Sequence, residues 1–261
     1  QKNERSLNGK VIIVTGGTQG LGEGIARHLA KLDIDGLLIC GRNEDGGNRV
    51  AAALNRSGCR GIYIRADLSR ETDCRMVPQA CEEEFGRVSG LVNAAGVTTR
   101  GTLGDTTVEF WDYMFAVNAR APFILMQEAV KIMKREGIHG SIVNIITENS
   151  HCGLPQLMAY SASKGAMVTL TKNIAYALRY DKIRVNGINM GWADTVGEHA
   201  MQRSDGQPEN WLKLAEARQP FGRLLRPGDV AGLTAYLLGD GAIMMTGSVI
   251  DFNQNVVGAP G

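Results

Sequence analysis

The sequence predicts an α/β fold in which a seven-stranded parallel sheet carries helices on both faces. Short apolar runs bounded by Gly or Asp alternate with longer helical patterns through the 261 residues, and no linker or low-complexity stretch interrupts them. Because these runs are almost continuously apolar, both faces of the sheet are expected to be covered, as in doubly wound folds. The candidate strands lie at 11–14, 37–40, 62–64, 91–93, 141–146, 183–188 and 249–252.

Helical periodicity fills the segments between the strands. Ile25, Leu29 and Leu32 recur at i, i+4 and i+7, and the same spacing returns in 230–237, so both sets are expected to be core stripes. A long helical segment is expected between residues 111 and 133. These patterns supply the layers that a parallel sheet needs on its two faces.

Residues 193–219 break the alternation of strands and helices. They are rich in polar residues, Gly and Pro, and the stretch is too long for a plain connection. We therefore expect an irregular lid over a substrate site, within a single catalytic domain that spans residues 1–261.

Composition and charge argue against several classes of protein. The net charge is +1 and charged residues are interspersed, so no basic face is present to bind nucleic acid. No apolar run approaches the roughly 18 residues needed to cross a bilayer, and no signal-peptide pattern begins the chain, so a cytoplasmic protein without a membrane partner is expected. No metal site is expected. Reduced, structural thiols are expected at the five cysteines, Cys40, Cys59, Cys74, Cys81 and Cys152, which form no CxxC pair.

A glycine-rich turn follows the first strand. Gly16, Gly20 and Gly22 let the backbone turn tightly and approach a ligand where a Cβ would collide. The helix that begins there offers free N–H groups and the positive end of its dipole to an anion. A glycine-rich turn alone can be purely structural. Between the first strand and an amphipathic helix, however, it predicts a binding site for the pyrophosphate of a nicotinamide dinucleotide.

The GxxxGxG spacing of this turn resembles the short-chain dehydrogenase/reductase family, and the resemblance runs nearly end to end. The segment 93–96, NAAG, resembles the family's NNAG element, Tyr160 and Lys164 match its YxxxK motif, and Asn118 sits where its helix asparagine does. The resemblance implies a Rossmann-like fold. It also implies an NAD(P)-dependent enzyme that transfers hydride between nicotinamide and a secondary alcohol or ketone.

The end of the second strand bears on which dinucleotide binds. In related folds an acid at this point hydrogen-bonds the ribose of NAD, whereas a nearby Arg pairs with the 2′-phosphate of NADP. Gly41 stands at that position and Arg42 follows, which favours NADP(H), although Arg42 alone could be a solvated loop cation. Gln19 replaces the basic residue that some NADP-using members of the family place in the turn, so NAD(H) stays possible.

Other cofactor contacts follow from the resemblance. Asp67 resembles the family's adenine-contacting acid, but it could equally be a helix cap beside Ser69. The segment 190–195 resembles a PGxIxT element that holds the nicotinamide carboxamide, with Met190 in place of Pro and Ala193 in place of Ile. The residues predicted to contact the cofactor are Gly16, Thr18, Gln19, Gly20, Leu21, Gly41, Arg42, Asp67, Leu68, Asn93, Ala94, Gly96, Tyr160, Lys164, Gly191, Ala193 and Thr195.

Tyr160 and Lys164 are the predicted catalytic pair. Four residues apart on a helix, they project from one face. A phenol with a pKa of about 10 becomes a useful base only beside positive charge, and the Lys164 ammonium would provide it. Alone, such a pair is more often an ordinary surface pair. Together with the dinucleotide turn, it indicates proton exchange with a substrate alcohol or carbonyl.

Two further residues complete the predicted catalytic group. The family usually places a serine 13 residues before the tyrosine to hold the substrate oxygen, and Thr147 occupies that position with its own hydroxyl. Ser150 is the second candidate. Asn118, poorly suited to a plain helix interior, matches the asparagine that supports a water linking the lysine to solvent, with a packing role as the alternative.

Polar side chains around the expected pocket favour a small polyol or sugar as substrate, because each substrate hydroxyl needs hydrogen-bonding partners. Two alternatives are a carbonyl reductase of ketoacyl or aromatic ketones, and a dinucleotide-binding regulator without catalysis. The predicted substrate contacts are Thr147, Asn149, Tyr160 and Trp192, and the polar residues expected to flank the pocket are Glu148, Asn149, His151, Asp194, Glu198 and His199.

Self-association is expected as well. The helices near 108–134 and 159–179 carry apolar residues beyond one stripe, and some of them are expected to lie against another subunit. The resemblance implies a homotetramer. The apolar residues in question are Phe110, Met114, Phe115, Ile124 and Met126.

The carboxyl-terminal segment 251–254, DFNQ, stands where many members of the family carry a DGG turn. The sequence alone predicts no consequence of this difference.

Overall fold

The computed structural model describes residues 7–151 and 153–257. Within them, seven strands form one parallel sheet, which confirms the predicted fold class. The strands are β1 (Val11–Thr15), β2 (Gly36–Gly41), β3 (Gly61–Arg65), β4 (Gly90–Asn93), β5 (Ser141–Ile145), β6 (Arg184–Met190) and β7 (Val249–Phe252). Their order across the sheet is β3-β2-β1-β4-β5-β6-β7. Strands β2 and β3 are added on one side of β1 and strands β4 to β7 on the other, so the strand order reverses between β1 and β4.

Helices connect the strands and cover both faces of the sheet. Local capping explains several helix starts: the Asn43 side chain accepts from the Gly46 N–H, and Thr107 accepts from the Phe110 N–H. The helices of the described residues are α1 (Gly20–Leu29), α2 (Glu44–Arg56), α3 (Glu71–Phe85), α4 (Val108–Phe115), α5 (Ala121–Arg135), α6 (Met158–Leu178), α7 (Val196–Ser204), α8 (Trp211–Glu216) and α9 (Pro227–Leu238).

Alternating side chains of the strands build a core on each face of the sheet. In β1, Ile13 faces the layer of α3, α5 and α6, whereas Ile12 and Val14 face α1, α2 and α9. All three side chains are fully buried. Since burying one such side chain contributes about 1.5–3 kcal/mol, these layers hold the carboxyl ends of the strands in fixed positions.

The long helical segment expected at 111–133 is longer than predicted and is interrupted. It runs from Val108 to Arg135, with a π-helical turn at Ala116–Arg120 between α4 and α5. A π turn accommodates one extra residue in a helix and is often found at functional sites. Asn118, whose side chain suits a plain helix poorly, lies in this turn.

The expectation that 193–219 is irregular is wrong, because the segment contains α7 and α8. Thr195 starts α7 by accepting from the Glu198 N–H. Trp211, only 6% exposed, anchors α8 by packing with Ala215 and Leu224 in a small core of its own. These helices were not predicted because neither shows an apolar periodicity. The buried residue of α7 is Gln202, and α8 is only six residues long.

The cysteines of the described residues are unpaired and buried. Burial raises the pKa of the Cys40 and Cys81 thiols to about 12 and that of Cys59 and Cys74 to about 11, as expected of structural thiols. Cys152 lies outside the described residues. No helix in the described part of the chain is both long enough and apolar enough to cross a membrane.

Most of the apolar side chains that α4 and α5 carry beyond a single stripe are buried within the chain. Met114, Ile124 and Met126 are at most 4% exposed, so these three of the five residues pack within the chain and are not available to another subunit. Phe110 and Phe115 are partly buried. Other side chains on these helices and on the adjoining α6 region are exposed instead, namely Val108, Trp111, Phe123, Tyr176 and Tyr180.

Candidate active site

The carboxyl ends of β1, β2, β4, β5 and β6 border a cleft of about 940 Å³. It lies where the strand order reverses, which is where doubly wound folds bind their ligands. Most residues predicted from the sequence line this one cleft. They are Gly16, Thr18, Gln19, Gly20, Leu21, Gly41, Arg42, Asp67, Leu68, Ala94, Gly96, Thr147, Asn149, Tyr160, Lys164, Gly191, Trp192, Ala193 and Thr195.

The turn after β1 is shaped for close approach of a ligand. Gly16 and Gly20 have φ values of +67° and +56°, which other residues rarely adopt. A Cβ on Gly22 would lie 2.3 Å from the Gly16 carbonyl oxygen, so only glycine lets α1 begin directly against the turn. In the described structure, the side chain of the N-cap residue Gln19 makes no capping bond to α1. The first N–H groups of α1 are thus available to a pyrophosphate, and the turn fits a dinucleotide.

The adenosine end of the cleft carries a cation held by a neutral partner. Arg42 Nη1 donates to the Tyr113 hydroxyl oxygen at 2.9 Å, and the guanidinium charge also acts on the Asp67 carboxylate. A Cβ on Gly41 would lie 2.8 Å from Thr18 Cγ2, so an acid at position 41 would displace Thr18. A glycine at position 41 therefore leaves room for Thr18 beside the cleft.

Asp67 stabilises a local turn and is not the cap of the next helix, whose N-cap residue is Arg70. Asp67 Oδ1 accepts from the Ser69 N–H at 3.0 Å and from the Ser69 hydroxyl at 2.9 Å, so it stabilises the turn after β3. It also lines the cleft. Because these bonds fix the carboxylate, its position relative to the cleft is set before any ligand binds.

The side chains of Tyr160, Lys164 and Thr147 line the same cleft. The Tyr160 and Thr147 hydroxyls are hydrogen-bonded, and Lys164 Nζ donates to the Ile145 carbonyl at 2.8 Å. Burial raises the pKa of Tyr160 to about 12, against the lowering effect of the Thr147 bond, and the Glu198 carboxylate adds to the rise. Burial lowers the pKa of Lys164 to about 8. At neutral pH the phenol thus holds its proton, ready to donate it to a carbonyl oxygen.

Ser150, the alternative to Thr147, has another partner. Its hydroxyl donates to Asn189 Oδ1 at 3.2 Å, and Ser150 does not border the cleft. Thr147 lies at the end of β5, where its Oγ1 accepts from the Asn149 N–H at 3.3 Å. Of the two hydroxyls, only that of Thr147 is placed beside Tyr160.

Asn118 is buried behind the cleft rather than lining it. Its Oδ1 accepts from the Val97 N–H at 2.8 Å, and its Nδ2 donates to the Val97 carbonyl at 2.9 Å and to the Ser163 hydroxyl at 3.1 Å. A Cβ on Gly96 would lie 3.5 Å from Asn118 Oδ1 and 3.6 Å from Lys164 Nζ. Asn118 therefore ties the loop after β4 to α6 next to Lys164. Sequence reasoning missed Ser163, whose only signal is a small residue inside the YxxxK motif.

Asn93 also lies beneath the cleft. Its Nδ2 donates to Asn144 Oδ1 at 2.8 Å, so the side chain links β4 to β5 instead of bordering the cleft. Thr15, missed at the sequence level, supports the same loop: its Oγ1 accepts from the Ala94 and Ala95 N–H groups at 3.1 Å each. Its position at the carboxyl end of β1 was the available signal.

Three polar residues expected to flank the pocket do not line it. His151 Nε2 lies 2.8 Å from Asp251 Oδ1, and His199 Nε2 lies 2.8 Å from Asp194 Oδ1. The His199 ring also packs edge-on against Trp211, with centroids 4.9 Å apart. His151, Asp194 and His199 are thus engaged with partners outside the cleft, whereas Glu148, Asn149 and Glu198 do line it.

The unusual carboxyl-terminal segment supports the loop after β6. The Gly191 N–H donates to the Phe252 carbonyl at 3.1 Å, and a Cβ on Gly191 would lie 2.8 Å from Asn253 Cβ. Gln254 donates to the Arg223 carbonyl at 2.5 Å and accepts from the Phe221 N–H at 2.7 Å. Residues 252–254 therefore contact the chain both before and after the segment 193–219, at Gly191 on one side and at Phe221 and Arg223 on the other.

The fold and the cleft together define a class of protein. A cradle for a dinucleotide pyrophosphate leads to a tyrosine, a lysine and a threonine hydroxyl in one continuous cleft. A nicotinamide dinucleotide, when bound, supplies or accepts hydride, and the phenol beside it can exchange the proton. This arrangement is that of an oxidoreductase acting on an alcohol or a ketone.

Comparison of the chain with known proteins supports the same class of oxidoreductase. The family model described as Enoyl-(Acyl carrier protein) reductase matches residues 16–254. An uncharacterized oxidoreductase of Methylorubrum extorquens is 33% identical over 250 residues, covering 96% of this chain and 98% of that protein. An NADP-dependent (R)-specific alcohol dehydrogenase of Lentilactobacillus kefiri is 32% identical over 244 residues, which cover 93% of this chain and 94% of that protein. A variant of the actinorhodin polyketide ketoreductase, solved with NADPH, aligns with a TM-score of 0.89 at 29% identity, covering 94% of this chain and 96% of that one.

The chain belongs to the short-chain dehydrogenase/reductase family. It is a nicotinamide-dependent alcohol dehydrogenase or ketone reductase, as the cleft and the relatives both indicate.

Proposed function

We propose that this enzyme uses NADP(H) to interconvert a small hydroxylated ketone, such as a ketose, and the corresponding polyol. The observation that carries the substrate class is the polar lining around Tyr160, where Asn149, Gln156 and Gln207 border the cleft together with Glu148. Burial raises the pKa of the Glu148 carboxyl above its usual range, and its oxygens can accept hydrogen bonds from substrate hydroxyls. Each substrate hydroxyl would find a partner there.

The proposed roles follow from the geometry. Thr147 would hold the substrate oxygen, Tyr160 would give it a proton during reduction, and Lys164 would favour the phenolate during oxidation. Asn118 would act as a positioning residue, through the Val97 backbone and Ser163. The intact set argues against a non-catalytic regulator.

A spectrophotometric screen tests this function. Polyols and sugars are compared with ketoacyl and aromatic ketones, each with NADP(H) and with NAD(H). We expect the highest kcat/KM with a hydroxylated substrate and NADP(H). Activity confined to aromatic or ketoacyl ketones would favour the alternative of a carbonyl reductase, which gains support from Leu154, Leu157 and Trp192 in the lining.

The preference for NADP(H) rests on Arg42 and predicts a selective loss. Arg42→Ala removes the cation held at the adenosine end of the cleft, so we expect KM for NADPH to rise about tenfold while KM for NADH changes little. Initial rates at varied cofactor concentration measure both constants. Arg56→Ala, an exposed cation at the end of α2, is the matched control. Equal losses with both cofactors, or a wild-type preference for NADH, would remove the argument.

We further propose a homotetramer assembled on α4, α5 and α6. The exposed Trp111, Phe123 and Tyr176 on these helices support it, since large apolar side chains at the surface often mark contact sites. Size-exclusion chromatography with light scattering measures the mass, and a monomeric mass would refute this proposal.

A further inference from the structure

A single carboxylate oxygen joins separate parts of the substrate end of the cleft. Glu198 Oε1, in the first turn of α7, accepts from Trp192 Nε1 at 2.9 Å and from Gln202 Nε2 at 2.5 Å. Arg100 Nη2 lies 4.0 Å from the same oxygen. We call these four residues, Arg100, Trp192, Glu198 and Gln202, the Glu198 cluster.

The Glu198 cluster connects three segments of the chain. Arg100 belongs to the loop after β4, Trp192 to the loop after β6, and the other two residues to α7. All four line the cleft. Gln202 is 6% exposed, so its bond to Glu198 is largely shielded from water, where a charge-assisted hydrogen bond is strongest.

The Trp192 indole is fixed at two points. Its N–H donates to Glu198, and its ring lies against Trp211 with centroids 6.0 Å apart and an interplanar angle of 30°. The side chain remains 38% exposed, so one part of it is free to contact a ligand. Loss of Glu198 would remove the hydrogen bond that orients the ring from this side.

Arg100 is engaged by two carboxylates. Its Nε lies 2.7 Å from Asp205 Oδ2, at the end of α7, and its Nη2 faces Glu198. A guanidinium bound in this way is a poor receptor for a carboxylate or phosphate on a substrate, because that group would have to displace an existing ion pair.

We propose that Glu198 is a positioning residue that selects uncharged substrates: it holds the Trp192 indole as one wall of the pocket and, with Asp205, keeps Arg100 from binding anions. The inference rests on the proposed function, in which a hydroxylated substrate binds beside Tyr160. The Glu198 carboxylate also acts on the Tyr160 hydroxyl: after burial, its negative charge is a further cause that raises the pKa of Tyr160.

The kinetic test compares D-fructose with 5-keto-D-gluconate, two six-carbon ketones of which only the second carries a carboxylate. For Glu198→Ala we expect KM for D-fructose to rise about tenfold with kcat changed less than about threefold, the signature of lost binding rather than lost chemistry. Asp205→Asn leaves Trp192 in place and frees Arg100, so it should raise kcat/KM for 5-keto-D-gluconate alone. Glu209→Ala, an exposed carboxylate on the same segment, serves as control.

A spectroscopic test follows the indole directly. The emission of Trp192 is obtained by subtracting the spectrum of Trp192→Phe from that of the wild type, and the same subtraction is made in the Glu198→Ala background. We expect the Trp192 emission to shift to longer wavelength in Glu198→Ala, because the ring loses its partner and gains solvent. Glu198→Gln keeps an oxygen acceptor and should restore the wild-type emission while still improving the use of 5-keto-D-gluconate.

The outcomes separate this inference from the proposed function. Turnover of neither ketone by the wild type would contradict the substrate class, yet the emission measurement would still test the hold of Glu198 on Trp192. An unchanged Trp192 emission together with an unchanged KM in Glu198→Ala would overturn the role of Glu198. If Asp205→Asn and Glu198→Gln leave the preference between the two ketones unchanged, the exclusion of anions by the paired Arg100 is refuted.

Discussion

Tyr160→Phe is expected to lower kcat about a thousandfold while the dissociation constant for NADPH stays within about twofold of the wild-type value. We propose the phenol as the proton donor beside Thr147, and phenylalanine keeps the ring while removing only the hydroxyl. Steady-state rates measure the first quantity, and fluorescence titration with NADPH measures the second.

The control for Tyr160→Phe is Tyr236→Phe, which removes a phenol from an exposed position on α9, away from the cleft. Retention of full turnover by Tyr160→Phe would show that another group moves the proton. Loss of NADPH binding in parallel with turnover would indicate instead that the substitution disturbs the cleft.

Lys164→Met is expected to remove most of the activity, about a hundredfold or more, and to stabilise the cofactor-free protein at neutral pH. The Lys164 ammonium is buried, 6% exposed, and burial lowers its pKa from 10.5 to about 8. Keeping this charge inside the fold at neutral pH costs about 3 kcal/mol. Methionine fills similar space without the charge, although the Ile145 carbonyl loses its donor, which offsets about 1–3 kcal/mol.

The stability difference between Lys164→Met and the wild type should depend on pH in one direction. Between pH 8 and 10.5, the unfolded wild-type chain binds a proton at Lys164 that the folded protein has released, so wild-type stability rises with pH across this window. Below pH 8 both states bind it and the full cost is present. The advantage of the variant should therefore be greatest near pH 7 and fall by about 3 kcal/mol as pH approaches 10.5.

Urea unfolding of the cofactor-free protein at pH 7 and at pH 10 measures this difference. Lys172→Met, which replaces an exposed lysine on the same helix, should show no such pH dependence. A difference between Lys164→Met and the wild type that is the same at both pH values would refute the role assigned to the buried charge.

Sequence alone was sufficient where function and fold depend on local pattern. The seven strands were recognisable because each is a short apolar run that β-sheet formation buries on both faces. The glycine turn could be assigned because Gly16, Gly20 and Gly22 meet steric needs within eight residues of chain. Tyr160 and Lys164 could be paired because four residues make one helical turn.

The remaining features depend on residues far apart in the chain. His151 was expected near the substrate from its position after β5, but Asp251, 100 residues later, binds it outside the cleft. The bond from Arg100 to Asp205 and the place of Trp211 in the α8 core likewise require knowing which segments meet. Periodicity and motif spacing carry no information on such encounters. For that reason the helices α7 and α8 were not predicted, and the burial of Met114, Ile124 and Met126 within the chain was not foreseen.

The π turn at Ala116–Arg120 has an effect beyond presenting Asn118. Each residue of a regular helix advances its direction by about 100°, so one additional residue rotates everything that follows by that amount. The helix thereby packs its first part, α4, against α6 and its second part, α5, against α3. Deleting one residue from 116–120 would restore a regular helix and yet misalign one of these two packed faces. The turn thus sets the rotation of α5 relative to α4 about their common axis, and with it which side chains of each part face their neighbours.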